Sequence, residues 1–374
     1  MANQIREAQK LGQSIWYDNV RRGLLVSGEI AELVKTGVTG LTSNPTIFEK
    51  AISESGDYDE GLIALAMEGH TAEEAFEELA IADIRNVADL LRQVYDDTDG
   101  TDGYASLEVS PSLAHDTDAT VAEALRLFTK LNRPNVMVKV PATPEGIPAI
   151  QQLIGKGVNI NVTLLFDLET YRNVRNAYST GLEQLQASGG DLSKVASVAS
   201  FFVSRVDSAV DTLLEATIQN GESGFEHLLG KSAIANATLA YRDFRQTVSE
   251  QRFGSLQKNG AQVQRPLWAS TGTKNPSYSD VLYMESLIGP DTVNTAPPTT
   301  MANFLDHGEV KPTITGYIEE AERVMADLKS SGVSITEVTE KLLSDGVKSF
   351  TNSFNALIAN VEEKKTHLLS KVVR

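Results

Sequence analysis

The sequence predicts an α/β protein folded as one closed (β/α)8 TIM barrel with additional helices, a single domain over residues 1–374. Three observations point there. Short β-rich runs alternate with amphipathic segments along the chain, which implies parallel strands joined by helices. The β-rich runs number eight, the count that closes a barrel. No glycine-rich dinucleotide turn follows the first run, which disfavours an open, doubly wound sheet.

The first strand is expected around "SIWYD" at 14–18 and the second in "GVTGLTSNP" at 37–45. A helix follows over Thr71–Val94, where Thr71 and Glu74 have the spacing of a capping box. Ala75, Leu79, Val87, Leu90, Leu91 and Val94 form its apolar stripe. Strands three to six are read from "ASLEVSP" at 105–111, "NVMVKVP" at 135–141, "VNINVTLLF" at 158–166 and "VASVASFFV" at 195–203. A polar, helix-prone insertion at about 220–264 precedes the seventh strand, "RPLWAST" at 265–271, and "DTVNTAPP" at 291–298 supplies the eighth. C-terminal helices are expected at about 334–370, with Val338, Leu342, Phe350, Phe354, Leu357 and Val361 on a broken amphipathic pattern.

Composition narrows the function classes. With 41% hydrophobic and 22% charged residues, the chain is ordinary for a soluble globular protein. No apolar run is long enough to span a bilayer, and the opening "MANQIREAQKLGQSIWYDN" lacks the apolar core of a secretory signal, so a cytoplasmic location is expected. The absence of cysteine excludes disulfides, thiolate catalysis and sulfur-ligated metals. The histidines, His70, His115, His227, His307 and His367, have no ligand-like spacing, so no metal site is expected. A formal charge of −17 opposes nucleic acid and anionic membranes as partners. An anionic substrate would require cations gathered locally. Monomer and homodimer are both left open.

One lysine stands out. In "NVMVKVP" alternation puts Val136, Val138 and Val140 on one face and Met137 and Lys139 on the other. An ammonium there is costly unless it is paired or loses its proton, and the neutral amine is a nucleophile. Other polar residues recur on the same face near strand ends: Asp18, then Thr42 and Asn44, then Ser106 and Glu108, Asn161 and Thr163, and Ser200 beside Phe202. Barrel interiors are normally filled by branched apolar side chains, and barrel enzymes place their chemistry at the carboxyl ends of the strands. An amine with carboxylates, amides and hydroxyls suits Schiff-base chemistry on a carbonyl, the lysine attacking while acid/base groups move protons.

The motifs "GLTSNPTIFEKAI", "SLEVSP", "VMVKVPAT", "INVTLLF" and "SFFVSR", in this order, resemble the transaldolases, and the likeness runs from about Gln13 to the C-terminal helix. The resemblance implies a class I, cofactor-free enzyme of the nonoxidative pentose phosphate pathway. Such enzymes carry a dihydroxyacetone unit from sedoheptulose 7-phosphate to glyceraldehyde 3-phosphate, giving erythrose 4-phosphate and fructose 6-phosphate. It implies Lys139 as the Schiff-base lysine and Glu108 as a proton shuttle working through a water held by Thr163. Asp18 becomes the acid/base at the sugar hydroxyl. Asn44, Asn161 and Ser200 become partners of the dihydroxyacetone unit, and Arg205 a phosphate ligand. After the seventh strand "ASTGTKN" replaces the shorter arginine-bearing turn of many relatives, and Ser270 and Lys274 are carried over there.

Two alternatives stand beside this reading. A related fructose 6-phosphate aldolase would release free dihydroxyacetone; the resemblance associates phenylalanine at Phe202 with the transferase and tyrosine with the aldolases. A barrel that has lost catalysis could serve as an interaction protein, though it would have little reason to keep Lys139, Glu108, Asp18 and Thr163 together.

Overall fold

The computed structural model describes residues 3–221 and 223–372. All eight expected strands form: β1 (Gln13–Tyr17), β2 (Gly40–Thr42), β3 (Tyr104–Glu108), β4 (Val136–Pro141), β5 (Ile160–Leu165), β6 (Ser197–Phe202), β7 (Arg265–Ala269) and β8 (Thr292–Ala296). They pair in chain order, all parallel, and β8 closes on β1. β2 is shorter than its sequence run because Asn44 leaves the sheet to cap the Pro45–Ser53 helix, its side chain accepting from Ile47 N.

Register sets the height of each side chain in the barrel. Glu108 lies opposite Lys139, Lys139 opposite Asn161, and Pro141 opposite Thr163. On the same inward face Trp16, Met137, Val198, Leu267 and Val293 are buried, so an apolar plug fills the barrel beneath a polar mouth. Gly40 permits the plug: a Cβ there would lie 2.4 Å from the Trp16 ring. At the opposite end Asp102 accepts from Trp16 Nε1 at 2.7 Å and from Ser14, and Arg265 reaches Ser14 Oγ at 2.7 Å. This buried network closes the floor with its polar atoms paired.

The long helix that leads into β3 runs Ala72–Asp97, and both halves of the Thr71–Glu74 capping box form. Ala75, Leu79, Val87 and Leu91 are buried, whereas Leu90 turns outward and is exposed. Within 220–264 lie the helices Ser232–Ser249 and Gln251–Lys258. The former belongs to the barrel's outer ring: it packs on the Leu168–Ala187 and Ile318–Ser330 helices and on β7. Ala233, Ala235, Ala237 and Ala240 are buried in it, and their small side chains let helices approach closely. In place of several terminal helices there is one, Ile335–Val372, which packs along the Pro45–Ser53 and Ala72–Asp97 helices and reaches β5. Among the described residues no helix is long and apolar enough to cross a membrane.

Candidate active site

One cleft at the carboxyl ends of the strands is lined by Asp18, Asn44, Lys139, Thr163, Ser200, Phe202, Arg205, Ser270 and Lys274, together with Thr42, Lys50, Thr295 and Phe350. Lys139 is 6% exposed. Its Nζ donates to Ser43 O at 3.0 Å and lies 3.5 Å from Glu108 Oε2. Glu108 faces a neighbouring crevice beside Phe48, Phe76 and Phe354; Asn44 lines both this crevice and the cleft, and Lys139 reaches Glu108 from the cleft side. Burial pushes the Glu108 carboxyl above the ordinary range; the Lys139 ammonium opposes this and Asp18 adds to it.

Asp18 sits just past β1, its backbone N–H donating to Ala296 O. Its Oδ1 accepts from Thr42 Oγ1 at 2.6 Å, and Thr42 Oγ1 lies 2.8 Å from Thr295 Oγ1. Burial raises the Asp18 carboxyl as well, although the Thr42 hydrogen bond and then Lys139, Lys274 and Arg205 all favour its charged form. Both carboxyls therefore hold protons more readily than exposed ones, which suits groups that must give and take protons near neutrality.

A hydroxyl–amide chain crosses three strands beneath the amine. Ser200 Oγ donates to Asn161 Oδ1 at 2.7 Å, and Asn161 Nδ2 donates to Ser106 Oγ at 3.1 Å. Asn161 does not line the open cleft but fixes the Ser200 hydroxyl that does. Thr163 Oγ1 and Glu108 Oε2 are buried with no hydrogen-bond partner among the described residues. Such orphaned atoms are costly in a finished core and are expected where a reactant or water must be held. Next to Thr163 the β5 register shifts and Leu164 adopts φ +57°. For a γ-branched residue this is strained backbone, and a bulge of this kind re-aims the neighbouring side chain.

The cations lie across the mouth. Arg205 begins the Ser204–Gln219 helix, and its guanidinium stands 5.3 Å from the Phe202 ring centroid and 6.0 Å from that of Phe350. Ser270, at φ +56°, lies just past β7, and its Oγ is 3.0 Å from Ser204 Oγ. Lys274 is exposed at the rim, as is Lys50 on the Pro45–Ser53 helix. Lys50 and Phe350 are members of the cleft that sequence reasoning missed. Lys50 follows Asn44 within one helix and could have been found from the turn geometry; Phe350 reads only as one more apolar residue, because its approach to the mouth depends on how the last helix docks. Among the described residues no group of three or more His, Cys, Asp or Glu side chains could hold a metal ion.

Comparison with known proteins agrees with this geometry. Residues 15–361 match the family model described as "Transaldolase/Fructose-6-phosphate aldolase". The chain is 44% identical to the transaldolase of Trichodesmium erythraeum, covering 97% of this chain and 98% of the relative. It is 47% identical to that of Saccharopolyspora erythraea, covering 94% and 95%, and 44% identical to transaldolase 2 of Nostoc sp., covering 99% of each. With a closed parallel barrel, a buried lysine against a carboxylate at its mouth and full-length likeness to these enzymes, the chain belongs to the transaldolase/fructose-6-phosphate aldolase family.

Proposed function

We propose that the chain is a cytoplasmic transaldolase that transfers a dihydroxyacetone unit from sedoheptulose 7-phosphate to glyceraldehyde 3-phosphate through a Schiff base on Lys139. The observation that carries this reading is the buried pair of Lys139 Nζ and Glu108 Oε2, 3.5 Å apart, with Asp18 beside the same cleft. The neutral amine of Lys139 adds to the C2 carbonyl, and the carbinolamine loses water to give the iminium. Glu108 moves the protons of both steps through a water held at Thr163 Oγ1; among the described residues neither Thr163 Oγ1 nor Glu108 Oε2 has a hydrogen-bond partner, although Oε2 is ion-paired with Lys139.

Cleavage of C3–C4 then requires the C4 hydroxyl to lose its proton, and Asp18 accepts it. The bonding electrons move into the iminium, leaving an enamine on Lys139, and erythrose 4-phosphate departs as the aldehyde. The enamine attacks the aldehyde of glyceraldehyde 3-phosphate, Asp18 returns its proton to the new hydroxyl, and hydrolysis frees fructose 6-phosphate and Lys139. Asn44 and Ser200 hold the hydroxyls of the three-carbon unit, Asn161 orients Ser200 from beneath the cleft instead of touching the sugar as the resemblance implies, Phe202 walls the unit, and Arg205, Ser270 and Lys274 bind phosphate.

Borohydride in the presence of fructose 6-phosphate should reduce the iminium to a stable amine on Lys139, and Lys139→Arg should abolish trapping. An adduct mapped to another lysine overturns the mechanism. Turnover of sedoheptulose 7-phosphate that depends on glyceraldehyde 3-phosphate identifies the transferase; equal release of dihydroxyacetone without an acceptor would identify the aldolase.

A further inference from the structure

On the outside of the barrel the helices Leu168–Ala187, Ser232–Ser249 and Gln251–Lys258 enclose a cavity of about 280 Å³. It shares no lining residue with the cleft around Lys139. Arg172, Arg175 and Arg252 all line it, a concentration of cations that is out of keeping with a chain of formal charge −17. Arg175 is the unusual member. It is 7% exposed, its guanidinium lies 4.8 Å from the Tyr171 ring centroid, and Nη1 donates to the backbone O of Asp243. Its Nε is buried without a hydrogen-bond partner among the described residues. A buried cation with an unpaired donor costs free energy that a bound anion would recover.

The carboxylates around the cavity are largely committed elsewhere. Asp243 Oδ2 is held by Arg172 at 2.6 Å and Asp243 Oδ1 by Arg242 at 3.0 Å, while Arg252 holds Glu183 at 2.7 Å. Glu250 is the lining carboxylate that opposes an incoming anion, and it is exposed at the rim. Asn176 uses its Oδ1 to accept from Arg252, which leaves its amide nitrogen to donate. Arg172 meets Asp243 through Nε and Nη2, which leaves Nη1. Two guanidinium groups one helical turn apart and an amide thus offer donors from several directions, an arrangement that suits a tetrahedral oxyanion better than a planar carboxylate.

We infer that this cavity is a second anion site, separate from the catalytic cleft, that binds phosphate either as the free ion or as a phosphomonoester. Hydrogen–deuterium exchange tests it by location, independently of events at the strand ends. Inorganic phosphate and glycerol phosphate should each be titrated into the full chain, with chloride at matched ionic strength as the control. Saturable protection of segments 172–179 and 243–253 is expected, and the stronger of the two ligands identifies the natural form.

Arg175→Gln should weaken that protection by about tenfold or more, as expected for loss of a charge-assisted contact. Gln246→Glu places a carboxylate at an exposed lining position, leaves the core untouched, and should weaken it similarly without altering turnover. It therefore decides the matter even where Arg175→Gln does not fold. Protection that is absent from these segments, equal in chloride, or unchanged in Gln246→Glu overturns the site.

Discussion

Asp207 offers a test of how the proposed phosphate end of the cleft is held. It lies on the Ser204–Gln219 helix, two residues beyond Arg205, and is 1% exposed. Its Oδ1 accepts from Ala233 N at 2.7 Å and its Oδ2 from Tyr283 Oη at 2.8 Å. One turn on, Asp211 accepts from Gly230 N at 3.0 Å and Tyr278 Oη at 2.8 Å. The β7–β8 segment that carries Ser270 and Lys274 is therefore tied by two tyrosines to the helix that carries Arg205. Burial outweighs both hydrogen bonds and pushes the Asp207 carboxyl up to about 6 from 3.8. The folded state binds more protons than the unfolded chain between these values. Its stabilising contribution is fully present below about pH 4 and is lost as pH rises through about 6.

A displacement from 3.8 to about 6 corresponds to about 3 kcal/mol at the limit, of which roughly 2 kcal/mol falls between about pH 4 and about pH 8. Asp207→Asn keeps an oxygen for Ala233 N and cannot ionise. Its constant offset, from the altered contact with Tyr283, is expected to be about 1 kcal/mol. Denaturant unfolding of both proteins across this range removes that offset, because only the change in their stability difference is read. The difference should move by roughly 2 kcal/mol in favour of Asp207→Asn as pH rises. Parallel stability curves would mean that Asp207 titrates alike in the folded and unfolded chain, and the proposed link between burial and its proton would be refuted.

Phe350→Leu keeps an apolar side chain against the core but removes one ring from Arg205; a desolvated cation–π contact of about 1–2 kcal/mol predicts a rise of roughly 5- to 30-fold in KM for phosphorylated sugars and little change for free dihydroxyacetone donors, measured by steady-state kinetics. Glu108→Gln should slow Schiff-base formation and hydrolysis by about 10²- to 10⁴-fold while sugar phosphate binding survives, and unchanged single-turnover rates would return Glu108 to a structural role. Arg205→Ala should raise the KM for phosphorylated substrates strongly and Lys274→Ala more weakly, since Arg205 is half-buried and Lys274 is exposed. Equal losses on unphosphorylated donors would show that these residues merely hold the mouth together.

The inward face of the site was legible because strand alternation is a local property. Met137 and Lys139, or Asn161 and Thr163, share a face whatever the rest of the chain does, and eight such strands leave few ways to close. What alternation cannot supply is height and docking. It places Asn161 and Ser200 inside without indicating that one lies beneath the cleft and the other on it. It gives Glu108 a place next to Lys139 but not its own crevice against Phe48, Phe76 and Phe354. The Leu164 strain was likewise invisible, since nothing in "NVTLLF" marks a residue for positive φ. The polar composition of 220–264 obscured a ring helix because, beside Leu239, Tyr241 and Phe244, much of its buried face is alanine and polar residues such as Asn236 and Asp243, which carry little apolar weight in a sequence pattern.

Asp18 indicates what kind of environment the cleft is. It faces Lys139, Lys274 and Arg205, accepts a hydrogen bond from Thr42, and every one of these favours its charged form. At the surface of an acidic protein such a carboxyl would sit below the ordinary range. It is raised instead, so the loss of water outweighs four favourable partners. The same desolvation lowers Arg205, whose guanidinium approaches two phenyl rings, Phe202 and Phe350. A desolvated cation such as Arg205 acts on an anion with little screening, which offsets the repulsion from a net charge of −17 at close range although not at a distance. Added salt should therefore affect substrate encounter more than the strength of the bound contact. Asp18 as the proposed acid/base and Arg205 as the proposed phosphate ligand thus depend on one property, exclusion of water from the mouth, and the last helix supplies part of it through Phe350.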